Sequence, residues 1–338
     1  MDVHTSFFDK ESAKSVDRYA EIDAHNQESF LMKEGSSLQV LQSLHSAGAS
    51  RDKLSEEYSD SFDVEVVEKA KKLSRVVLAG NMSPLNNYGP SSLSPEERIE
   101  DAKDNIASFL EQNNIAPESV RILRPERDYT TPLSVINLDT APMAPDDTGL
   151  LRPDQAGDMI YTYDTDVVMV ARPADCPVVF VSAETPKGQV TVLLHLAWKG
   201  VAYGYIQQAK KELDAMGVDW ESVRVQITAG GHKDSFIFED FTDFNPLEEF
   251  PDSASMFAHV EEKVNDKGVK AYDFGMDVAA EVYEQIIGSW EMGQRNVFAD
   301  TSDTTSPESG YSSHTRSFKG YNLHGDNTRD IVLARRVS

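Results

Sequence analysis

An α+β fold, or one of irregular α/β layers, is predicted by three features of this sequence. Short valine-rich runs, such as Val167-Val-Met-Val170 and Val178-Val-Phe-Val181, recur through its centre. Amphipathic stretches with helix-start signals lie among them. The two kinds of element do not alternate strictly, which argues against a doubly wound parallel sheet.

The first 75 residues read as a polar, acidic N-terminal extension, partly helical and partly flexible. Helices are predicted within it over Leu38–Leu44 and Val64–Leu73. The pattern changes at Arg75, and residues 76–338 read as the folded domain. Val76–Ala79 is a short apolar strand, followed by a loop from Gly80 to Ser94. Ser94-Pro-Glu-Glu97 is a helix start, with a Ser cap, a Pro at the first position and a Glu at the third. Ile99, Ala102, Ile106 and Leu110 then follow at helical spacing. Val120–Leu123 and Leu133–Leu138 read as strands.

Val167–Val170 is a buried-type strand, broken by Pro173. Val178–Val181 and Val190–Leu196 follow it. Gly200 opens a helix with Val201, Tyr205, Ala209, Leu213 and Met216 on one side, ended by Gly217. Val223–Ile227 is a further strand. The acidic, aromatic stretch Phe236–Asp252 reads as loop. Asp277 caps a later helix carrying Val278, Val282 and Ile286. A polar, turn-rich segment, Asp303–Arg316, precedes a final strand at Ile331–Ala334. Long ordered loops of that kind often line sites.

Composition narrows the function classes. The chain has 338 residues, 40% of them hydrophobic, enough to bury a substantial core. Its net charge of −25, without a Lys/Arg cluster, excludes general affinity for nucleic acid. No apolar run approaches the ~20 residues of a membrane span. The start, Met1-Asp-Val-His-Thr-Ser6, lacks the basic and apolar regions of a secretory signal. With one cysteine in the chain, a reducing cytoplasmic setting is expected.

That cysteine, Cys176, sits in Arg172-Pro-Ala-Asp-Cys-Pro177, just before a strand. His195 ends a later apolar run and opens His195-Leu-Ala-Trp-Lys-Gly200. If the strands between them pair antiparallel across a turn near Pro186-Lys-Gly188, the thiol and the imidazole meet at one sheet edge. Such a pair serves as nucleophile and base, or as two metal ligands. A buried structural cysteine beside an ordinary histidine is the alternative. Asp175 could orient an imidazole or move a proton. Lys199, at a helix start, could help hold an anion. A surface ion pair and a packed Trp198 are the plainer readings of these neighbours.

Those two strings resemble the paired "R-x-A-D-C-x-P" and "H-A-G-W-R-G" motifs of the YfiH/DUF152 family. That family is also described as multicopper polyphenol oxidoreductase or laccase-domain proteins, and as purine nucleoside phosphorylases. Further likenesses are Gly157-Asp-Met-Ile160 with Asp166–Val170, the helix Ser94–Leu110 with Asn105, the helix Asp277–Ile287, and Ser313-His-Thr-Arg316. Together they span roughly residues 75–338.

The resemblance implies an α/β/β/α sandwich with mixed sheets and a monomeric protein. It implies a His-Cys-His zinc site, with copper as the metal of the older family name. The implied activity is phosphorolysis of adenosine, inosine or guanosine, with adenosine deamination. Cys176 and His195 would be two ligands. The family's third lies in a "Q-V-H-G" segment, but the matching stretch here, Arg121–Asp128, has no histidine. Glu126 falls nearest, with His232 and His314 as alternatives. Asp175 is then a candidate for proton transfer, and Arg172, Lys199 and Arg316 for phosphate or ribose. Trp198 or Tyr311 could stack on the base. Ala197 and Lys199 replace the family's Gly and Arg, and lysine lacks the bidentate fork of arginine. The family's late "C-T" is absent around Asp303-Thr304. A metal-free Cys–His hydrolase or deamidase, and a non-catalytic scaffold that has lost a ligand, are the alternatives.

Overall fold

The computed structural model describes residues 18–24, 26, 38–45, 76–79, 94–126, 132–242, 245–290, 292–293, 296–305 and 332–336. Two sheets face each other, and alternation along their strands shows how they stack. In β8 (Val168–Ala171), Val168 and Val170 pack against one apolar cluster, Met169 and Ala171 against another. In β9 (Val178–Thr185), Val178 and Phe180 join that second cluster, while Val179, Val181 and Ala183 enter a third. A strand exposes successive side chains on opposite faces, so both strands are covered on both sides. The layers run helix, sheet, sheet, helix, as the family resemblance implies.

The seven-stranded sheet takes the order β2-β1-β16-β8-β3-β6-β5. Its members besides β8 are β1 (Leu38–His45), β2 (Val76–Ala79), β3 (Val120–Ile122), β5 (Met143–Pro145), β6 (Leu151–Pro153) and β16 (Val332–Arg336). Its outer face meets α1 (Pro95–Gln112) through Ile106, Phe109 and Leu110. This helix carries the capping box its sequence announced: the Glu97 amide donates to Ser94 Oγ, and the Ser94 amide donates to the Glu97 carboxylate at 2.6 Å.

The six-stranded sheet takes the order β15-β11-β9-β10-β7-β4. It adds β4 (Val135–Asn137), β7 (Met159–Thr162), β10 (Gly188–His195), β11 (Arg224–Ile227) and β15 (Val297–Ala299). Its outer face is covered by α2 (Trp198–Ala202), α3 (Tyr205–Met216) and α5 (Val278–Ser289). A small sheet, β12-β14-β13, completes that side, from β12 (Ile237–Phe241), β13 (Phe257–Val264) and β14 (Lys270–Met276).

Four expectations are corrected. Leu38–Leu44 is not a helix; it belongs to β1, antiparallel to β16 and parallel to β2. Its leucines at spacings of three fit a helix, but the pairing partner is remote in sequence. Phe236–Asp252 is not plain loop: it contains β12 and a short helix, α4 (Pro246–Glu249). Phe238, Phe241 and Phe250 there ring Trp198 edge-on at about 6 Å. The helix expected from Gly200 is two helices. Gly204, at φ 77°, separates α2 from α3, and a Cβ on Gly200 would lie 2.8 Å from the Tyr205 ring. Asp277 stands at the N-cap of α5 without a side-chain bond to its own helix. Its carboxylate instead accepts from Tyr19 Oη at 2.6 Å and Arg18 at 3.4 Å. The predicted helix Val64–Leu73 and the loop from Gly80 to residue 93 lie outside the described residues.

The described residues among the first 26 are built into these layers. Ile22 is 3% exposed and packs in the large core. Asn26 donates to the Ala299 carbonyl and accepts from the Ala299 amide, closing the edge of β15.

Candidate functional site

Three side chains meet where β7, β9 and β10 end together. β10 pairs antiparallel with both neighbours, placing Leu194 opposite Met159 and His195 opposite Val178. Asp158, just before β7, therefore falls beside His195, and the His195 amide donates to the Asp158 carbonyl at 2.8 Å. Two-residue alternation puts Asp158 on the face of Ile160, and His195 on the face of Leu193. That face looks toward the other sheet. Cys176, two residues before Val178, enters from the β8–β9 connection.

His195 Nδ1 lies 2.8 Å from Asp158 Oδ1, and the His195 ring also shares a hydrogen bond with the Cys176 thiol. The Asp158 bond occupies Nδ1, which leaves Nε2 for sulfur. Asp158 is fully buried; His195 keeps 11% of its side chain exposed, and Cys176 is half-buried. Burial alone would lower the His195 pKa. The bonds to Asp158 and Cys176 outweigh it and push the ring up to about 10. The raised pKa favours the protonated ring, oriented by Asp158 on one side and facing the Cys176 sulfur on the other. Asp158 Oδ2 has no hydrogen-bond partner among the described residues.

The residues flanking Cys176 are tightly held. The Asp175 carbonyl accepts from the Gly231 amide at 3.1 Å, and its carboxylate accepts from Thr304 Oγ1 at 3.2 Å. The Pro177 carbonyl accepts from the Leu196 amide, and the Val178 amide donates to Thr228 Oγ1 at 2.9 Å. Asp175, 3% exposed, thus ties the thiol's loop to the 228–231 and 303–305 segments.

The remaining candidates are placed as follows. Arg172 donates to Asp146 at 2.9 Å and to Thr148 Oγ1 at 2.6 Å, a mostly buried ion pair that commits its guanidinium to the Asp146–Thr148 turn. Lys199 lies 5.5 Å from the Trp198 ring, in the first turn of α2. Trp198 is 9% exposed and packs among phenylalanines, so it serves as core. His232 stacks on Tyr19 and does not join Cys176 and His195 in a ligand group. Glu126, half-exposed beyond β3, does not join them either. His314, Arg316 and Tyr311 lie outside the described residues.

Among the described residues, no group of three or more His, Cys, Asp or Glu side chains is placed to hold a metal ion. A structural or catalytic zinc needs at least three protein donors. The described donors therefore do not fit a complete zinc centre, and the chemistry below runs through side chains alone. Asp158 is the residue sequence reasoning passed over. It was one letter of a family likeness with no role given. Its parity with Ile160, across from His195, was the available signal.

A layered α/β/β/α protein with a Cys–His–Asp cluster at its inter-sheet rim is the class that this fold and site define. Residues 92–325 match the family described as multi-copper polyphenol oxidoreductase laccase. The chain belongs to that family. It is also similar to the solved structure of the hypothetical protein YfiH from Bacillus licheniformis. The identity is 13%, the match covers 77% of this chain and 92% of that one, and the TM-score is 0.50. A Neisseria meningitidis protein of the DUF152 family, NMB0706, is 18% identical over 77% of this chain and 90% of its own, at a TM-score of 0.48. No curated protein matches the chain by sequence.

Proposed function

We propose that this chain acts on purine nucleosides, with Cys176, His195 and Asp158 as its reacting centre. The observation that carries the proposal is the hydrogen-bonded series from thiol to imidazole to buried carboxylate. The motif resemblance around Cys176 and His195 supplies the substrate class. In phosphorolysis a phosphate oxygen bonds to C1′ of the ribose, the bond from C1′ to the base breaks, and the departing base must gain a proton. His195, held protonated, is the group able to give it, and Asp158 keeps the ring aimed. Lys199, in the first turn of α2, is the cation we assign to phosphate.

The test is purified protein incubated with adenosine or inosine, with and without phosphate, before and after chelation, beside Cys176→Ala. Phosphate-dependent base release, or ammonia release from adenosine, lost in Cys176→Ala, is expected. No product from the wild type under any of these conditions contradicts the reading.

One observation favours a second reading. A cysteine bonded to a histidine that is itself held by a carboxylate is the arrangement of a nucleophilic thiol enzyme. Cys176 would attack an amide or acyl carbon, with His195 as the base that takes the thiol proton and passes it to the leaving group. Metal-stripped protein that still turns over amide or ester probes, and forms an adduct on Cys176, distinguishes this reading from the first.

A further inference from the structure

We infer that Tyr19 is a positioning residue for Cys176. It acts through His232 and the segment that holds both neighbours of the thiol. The Tyr19 ring lies parallel to the His232 ring, with centroids 3.8 Å apart and planes within 12°. Its hydroxyl donates to Asp277, which is fully buried. Arg18 fastens the same segment through Glu284 at 2.6 Å and Glu281 at 3.5 Å. Ile22 in the core and Asn26 on β15 fix its other end.

Beyond His232 the links are short. The His232 amide donates to Asp303 at 3.2 Å, and the Gly231 amide donates to the carbonyl of Asp175. The Gly230 carbonyl accepts from the Thr304 amide, and Thr304 Oγ1 reaches the Asp175 carboxylate. Gly230 also packs so closely on Pro177 that an added Cβ would sit 3.3 Å from its ring. The residues before and after Cys176 thus both rest on the 228–232 segment, and Tyr19 backs that segment. His232 Nε2 is buried without a partner among the described residues, and the ring stacks on Tyr19. Residues 18–26 lie outside the 92–325 family match, so this brace is added to the matched region.

The test uses the full-length protein and needs no substrate, so it stands or falls apart from the nucleoside reading. Cys176 is the only cysteine, so iodoacetamide incorporation, followed by mass spectrometry, reads one site. Rates are compared at a temperature where melts show each variant folded. Removing the stacked ring and its hydrogen bond in Tyr19→Ala is expected to speed labelling about three- to tenfold. Tyr19→Phe keeps the stack and stays within about twofold of wild type. Asn26→Ala loosens the same segment away from His232 and leaves the rate unchanged. If Tyr19→Ala does not fold, His232→Ala carries the test with the same expected acceleration. A rate in Tyr19→Ala equal to wild type, or equal acceleration in Asn26→Ala, overturns the inference.

Discussion

Asp158 and His195 hold each other at two points: backbone amide to carbonyl, and imidazole to carboxylate, both at 2.8 Å. The first is the continuation of a sheet ladder and the second uses it. Register, not a flexible loop, aims the imidazole at Cys176. A group placed by two packed strands is fixed more closely than one carried on a loop.

Asp158→Asn keeps the shape but removes the charge facing the ring. It is expected to lower kcat by about 10²–10⁴-fold, the range of a lost acid–base contribution, with a smaller change in KM. Steady-state kinetics on whichever nucleoside the wild type turns over would check this. A variant within threefold of wild type would deny the carboxylate its role.

The stability of metal-stripped protein should fall as pH rises. In the folded state the His195 ring is pushed up to about 10 from 6.5, against burial, by Asp158 and Cys176. A raised folded-state pKa gives stability that is full below about pH 6.5 and is lost as pH climbs through 10. Melting temperatures should therefore decline across that window, and His195→Gln should flatten the decline. An identical slope in the variant would place its source elsewhere.

Arg172 and Asp146 should behave as a structural pair. Either Arg172→Ala or Asp146→Ala leaves a mostly buried charge alone and is expected to cost about 3–5 kcal/mol. Urea denaturation of both variants provides the comparison. A normal melt in Arg172→Ala, with a raised KM for phosphate, would return the arginine to ligand binding.

Asn26→Ala removes both hydrogen bonds to Ala299 at the edge of β15 and leaves backbone groups unpaired in a buried setting. The expected loss is about 1–3 kcal/mol. An unchanged denaturation midpoint would mean that residues 18–26 are dispensable to the core.

The parts of the fold that were legible in the sequence are those whose own residues decide them. β9 reads as a strand because Val178–Val181 runs without a polar gap, and β10 because Val190, Val192, Leu193 and Leu194 crowd one short stretch. α1 announced its start through Ser94, Pro95 and Glu97. The elements misread are those decided at a distance. β1 needs β16, nearly the whole chain away, and β12 needs β14 to its side and Trp198 beneath its phenylalanines. The site divided in the same way. Cys176 and His195 stood out as rare residue types at strand ends, while Asp158 was one aspartate among many. Arg172 looked available because Asp146, its partner, lies 26 residues earlier.

The central claim is that Cys176, His195 and Asp158 act as one centre on a purine nucleoside. It is tested most directly by following base release from inosine and phosphate for the wild type and His195→Ala side by side. The account predicts phosphate-dependent release of the base by the wild type, reduced by about 10²-fold or more in the variant. Equal release by the two proteins, or none by the wild type, would contradict it.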